Sequence, residues 1–75
     1  MPGGAVHTVH KDGRWVNEVE GQAGTVGEPF DRKPDAVAAG RDVAQDLHVE
    51  HMIHNLDGQI HERNSYGHDP RNIPG

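Results

Sequence analysis

At 75 residues and without a cysteine, the chain has room for one small domain and no disulfide or Cys-based zinc site to reinforce it. A formal net charge of −5 and an isoelectric point near 5.7 weigh against phosphate-backbone binding, which relies on an excess of Lys and Arg. Mean hydropathy is low, −0.85, yet the apolar residues fall in periodic runs, the mark of a folded domain rather than a disordered chain.

Residues 1–4 read as a flexible lead-in, with neither the basic start nor the apolar stretch of a signal peptide. No apolar run approaches the ~20 residues that span a bilayer, so no membrane segment is expected. The lack of cysteine fits a reducing cytosol, and the chain is read as cytoplasmic. Residues 5–10 and 15–20 are β-rich and flank Asp12-Gly13, which supplies the positive φ angles of a tight hairpin turn. Trp15, Asn17 and Val19 share one face of the second strand, and Trp15 is the expected aromatic anchor. A short third strand is expected over residues 25–28, ended by Pro29, with Phe30 packed beneath the first turn of a following helix.

That helix is expected over residues 34–47. Ala36, Val37, Gly40, Val43, Ala44 and Leu47 recur at helical spacing and form a narrow buried stripe. Gly40 on this stripe implies a close approach between helix and sheet, since glycine costs up to about 1 kcal/mol in a helix interior. Asp31 is the expected cap, and Asp35 adds negative charge near the positive helix terminus. A strand over residues 48–54 follows, with Val49, His51 and Ile53 on one face. The turn Asn55-Leu56-Asp57-Gly58 leads to a last strand over residues 59–64, in which Ile60 is expected to face the core. Residues 67–75, rich in Gly, Pro and Asn, read as an irregular tail. The two hairpins resemble one another around their Asp-Gly turns, either by duplication or by shared turn chemistry.

Several stretches together resemble a known family: Asp12-Gly13-Arg14-Trp15-Val16, Glu20-Gly21, Phe30 ahead of Lys33, Asp35 through Arg41, and above all Asp57-Gly58-Gln59-Ile60-His61-Glu62-Arg63-Asn64-Ser65-Tyr66-Gly67 with Asp69-Pro70. Over about residues 6–70 the chain looks like a member of the small bacterial proteins of domain-of-unknown-function family 2188. The resemblance implies a small domain of helix and sheet in bacteria or their phages, and it transfers no catalytic residue. The family pattern places Thr at the helix cap and Glu three residues later. Here those positions hold Arg32 and Asp35, which moves the expected cap to Asp31.

Seven histidines make the chain histidine-rich. His7, His10, His51, His54 and His61 are of the type that ligates Zn²⁺ or Ni²⁺. Alternation points His7 and His10 to opposite faces, and likewise His51 and His54, so no metal site and no cofactor is expected. Asp57, Glu62 and Asp69 lie near His54, His61 and His68, but Asp57 is explained by its turn and Asp69 by an Asp-Pro bend. No catalytic constellation emerges. Trp15, Tyr66, Arg14, Arg63 and Arg71 are of the types that stack on or contact nucleic acid, against an acidic balance that includes Glu18, Glu20, Glu50 and Glu62.

The expected fold is α+β, in the order ββ(β)αββ: a small, mainly antiparallel sheet of two hairpins and a short extra strand, with one helix on one face. The expected role is a non-enzymatic interaction or accessory module, open to self-association through exposed sheet edges. Nucleic-acid binding is the less favoured alternative, and His-mediated metal binding a weaker one. Arg63, Tyr66 and His68, which have no evident architectural duty, are the candidate interaction residues.

Overall fold

The computed structural model describes residues 4–66. Five strands form one sheet with a single helix against it. Strand β1 (Val6–Lys11) turns back into β2 (Arg14–Val19) through Asp12 and Gly13, whose φ angles of 53° and 83° match the right-handed strand twist. Strand β3 (Val26–Phe30) pairs antiparallel with β2, helix α1 (Lys33–Leu47) crosses over, and β4 (Glu50–His54) and β5 (Ile60–Ser65) form the second hairpin. The spatial order is β3-β2-β1-β4-β5. The hairpins meet along β1 and β4, the one parallel pair, which registers Val6 with His51 and Thr8 with Ile53. The α+β class holds, and the sheet is mixed by that central pair alone.

Pro29 does not end β3, which runs on to Phe30. Because β3 is an edge strand, the missing N–H of Pro29 can fall on its unpaired side. Phe30 is the last residue of that strand, half-buried and registered with Trp15. The helix begins at Lys33 with Arg32 as its N-cap (φ −120°, ψ 138°), and no side chain caps it. Asp31 is thus one position too early to cap, and its Oδ1 lies 3.4 Å from Arg14 Nε instead. Pro34 in the first turn removes one donor that would otherwise need a partner, and Asp35 supplies the favourable charge. The other end closes on His48, in the left-handed region at φ 57°, ψ 51°, where its N–H and that of Val49 return to carbonyls of the last turn.

Ala36, Gly40 and Ala44 are buried, as the stripe predicts. Val6, Val19, Ala44 and Val49 form the core cluster, with Val26, Val43, Leu47 and Tyr66 packed around it. Helix α1 lies over β1, β2, β3 and β4 and leaves β5 outside its footprint. This overturns the expectation for Ile60. The β4–β5 register shifts between Ile53 and His54, so Ile60 sits opposite His54 and is 54% exposed. The lead-in at residues 1–3 and the tail at 67–75 lie outside the described residues; Gly4 hydrogen-bonds Glu20 O through its N–H at 3.3 Å. Among the described residues, no helix is long and apolar enough to cross a membrane.

Candidate functional site

The alternation of strand side chains divides the polar residues between two faces. Beneath α1 lies a buried network. Thr8 Oγ1 donates to Asn17 Oδ1 at 2.6 Å, and Asn17 Nδ2 donates to the Ala36 carbonyl at 3.1 Å, tying β1 and β2 to the helix. A hydroxyl has one proton, so the 2.7 Å contact of Thr8 Oγ1 with His51 Nε2 must be donated by the imidazole. His51 therefore carries a proton on Nε2, and its buried Nδ1 has no partner. Burial pushes its pKa below the ordinary histidine value, with nearby Arg41 adding to the effect. His51, Thr8 and Asn17 are between 0 and 1% exposed. A group enclosed in this way meets no substrate; its work is to seat the helix.

The helix can come this close because residue 40 is glycine. A Cβ at Gly40 would overlap Asn17 Oδ1 and stand 2.7 Å from His51 Nε2 and 2.8 Å from Thr8 Oγ1. Trp15 is also on the helix side, 8% exposed, with His10 edge-on at 5.0 Å between ring centroids and Lys33 Nζ 5.3 Å from the ring centroid. Trp15, Lys33, Asn55, Leu56 and Asp57 line an open groove of about 500 Å³.

The opposite face carries His7 and His54. His7 and His54 come from different strands and meet, with Nδ1 of His7 2.8 Å from Nε2 of His54. His7 Nε2 is 2.6 Å from Glu20 Oε2, and His54 Nδ1 is 2.9 Å from the Gly58 carbonyl. The hydrogen bond from His7 holds the Glu20 carboxyl below the usual carboxylate range. Lys11 is paired with Glu18 at 2.7 Å, which raises the lysine pKa. Among the described residues no three His, Cys, Asp or Glu side chains converge as a metal-ion cage.

The structure separates the residues singled out in the sequence. Arg63 is exposed on β5, registered with Met52 on the open face. Tyr66 falls on the helix side, its side chain packed on the core cluster and its N–H bonded to Val49 O at 3.3 Å. His68 lies outside the described residues. The His7–His54 pair escaped the sequence reading because parity was compared only within each strand. The signal was present all the same: residues 7 and 54 occupy the same face once β1 and β4 are neighbours.

No curated protein and no solved structure matches the chain significantly. A family model does, over residues 6–66, which span every strand and the helix described above. The chain belongs to the DUF2188 family, described as an uncharacterized protein conserved in bacteria.

Proposed function

We propose that the domain is a non-enzymatic protein-interaction module that pairs through the free edge of β5, with a second copy of the chain as its first partner. The observation that carries this reading is the uncovered fifth strand. Helix α1 stops short of β5, and Ile60 (54% exposed) and Leu56 (70% exposed) stand bare beside it. The Tyr66 N–H to Val49 O bond sets the alternation of the ladder, so the N–H and C=O groups of Arg63 and Ser65 point away from β4. The other edge, β3, carries Pro29, which blunts it against pairing.

Charge selects the register. Antiparallel pairing of two β5 strands about Arg63 or about Glu62 would set like charges opposite one another. Centred on Asn64, the same pairing sets Arg63 opposite Ser65 and brings no like charges face to face. Nucleic-acid binding gains no support from the geometry. Trp15 and Tyr66 are packed on the helix side, and Lys11 and Arg14 are engaged with Glu18 and Asp31.

Sedimentation velocity over a wide concentration range tests the reading, with Arg63→Pro as the probe. Proline at this position removes an outward-facing donor and leaves the β4 ladder whole. The wild type is expected to dimerise and the variant to stay monomeric with its fold intact. A strictly monomeric wild type would remove self-association, and a variant that still dimerises would remove β5 as its site.

A further inference from the structure

We propose that His7 and His54 form a binding site for a soft cation of low coordination number, of the Cu(I) class, with Met52 as the third donor. The argument starts from proton positions. The Gly58 carbonyl can only accept, so His54 Nδ1 carries a hydrogen in their 2.9 Å contact. The Glu20 carboxylate also only accepts, so His7 Nε2 carries a hydrogen in the 2.6 Å contact. Both rings thereby have their tautomers pinned from outside. In the neutral pair, the remaining nitrogens, His7 Nδ1 and His54 Nε2, turn lone pairs toward each other across 2.8 Å. Such an approach is repulsive unless a cation sits between them, either a shared proton in an N–H···N hydrogen bond or a metal ion.

This is the outer-shell pattern of metal-ligating histidines, in which the distal N–H is given to a carboxylate or a backbone carbonyl and the other nitrogen faces the ion. With metal–nitrogen bonds of about 2.0 Å, two such ligands stand about 3.5 Å apart at the roughly 120° angle of a three-coordinate site. The pair has to open by roughly 0.7 Å, a small torsional adjustment for two half-buried side chains. Met52 is the register partner of His7 and lies two residues before His54, so its thioether belongs to the same face. Two imidazoles and a thioether favour Cu(I). The four-ligand cage that Zn²⁺ prefers has no counterpart, since no three His, Cys, Asp or Glu side chains converge among the described residues. A bound ion would join β1 to β4, and so one hairpin to the other.

The test uses the full chain under anaerobic, reducing conditions, titrated against the coloured bicinchoninate complex of Cu(I). One Cu(I) per chain is expected to leave the chelator. His7→Gln and His54→Gln should each weaken binding by tenfold or more, and Glu20→Gln, which removes only the outer carboxylate, by about tenfold. His10→Gln, on the helix side against Trp15, should leave it unchanged, and circular dichroism checks that each variant is folded. A second measurement needs no variant: imidazole ¹⁵N spectra of the wild type with Ag(I), in which His7 Nδ1 and His54 Nε2 should shift. Failure to withdraw Cu(I) from the chelator overturns the proposal. So does binding that survives in the His7→Gln/His54→Gln double variant, Zn²⁺ binding of equal strength at the same pair, or ¹⁵N shifts located on other histidines.

Discussion

Gly40→Ala is the sharpest test of how the helix is seated. In an exposed helix this change would stabilise by about 1 kcal/mol, because alanine is the better helix former. Here the added Cβ would overlap Asn17 Oδ1 and stand 2.7 Å from His51 Nε2 and 2.8 Å from Thr8 Oγ1. None of the three atoms is free to swing aside: they bond to one another, and Asn17 is tied to the Ala36 carbonyl of the same helix. The helix must therefore lift, or the network must break. Overpacking of this kind costs about 1–3 kcal/mol, and two or three disrupted hydrogen bonds add about 1 kcal/mol each. After the gain in helix propensity, a net loss of about 2–5 kcal/mol is expected, a large part of the stability of a domain this small. At about 4–8 °C per kcal/mol, Tm should fall by about 8–40 °C. Thermal unfolding followed by circular dichroism and by Trp15 fluorescence reads the effect. An unchanged or raised Tm would refute the close-approach reasoning.

At the other end of the helix, His48 holds a left-handed conformation at φ 57°. His48→Gly should stabilise by about 0.5–1 kcal/mol, seen as a higher urea midpoint at unchanged slope. Asp31 does not cap the helix, so Asp31→Ala should change stability by less than about 0.5 kcal/mol, against about 1 kcal/mol for loss of a true cap. Burial lowers the pKa of His51 in the fold, so the unfolded chain takes up its proton first as pH falls. This contribution to stability is complete above the ordinary histidine range near 6.5 and is lost below it, at up to about 1.4 kcal/mol per pH unit. In urea titrations the stability of wild type relative to His51→Gln should fall as pH drops from 7.5 to about 5; a constant difference would show that burial does not hold back protonation of His51.

Much of the local structure is legible in the residues, because it rests on short-range chemistry. Asp12-Gly13 names its own turn, Ala36, Gly40 and Ala44 mark the buried side of α1, and Gly40 signals a near neighbour. What that neighbour is cannot be read locally: Thr8, Asn17 and His51 come from three strands, and only the strand order brings them together. The same holds on the other face, where His7 and His54 meet because β1 and β4 lie side by side. Ile60 fails for a related reason. An apolar residue in a strand is expected inside, but the helix covers four strands and β5 is the fifth. Pro29 fails because its strand is an edge, a property of the assembled sheet rather than of the segment.

The parallel seam between β1 and β4 also bears on how the chain reaches its fold. Each hairpin closes a short loop and can form on the microsecond scale by itself. The seam joins residues such as Thr8 and His51, which are 43 positions apart, and it closes only after the intervening segment has been gathered in. The rate-limiting event is then expected to be the docking of two preformed halves, with α1 as the tether that limits their search. Substitutions in the Asp57-Gly58 turn, formed before docking, should slow folding with little effect on unfolding, whereas those at Thr8 or His51, whose contacts complete the seam, should divide between the two rates.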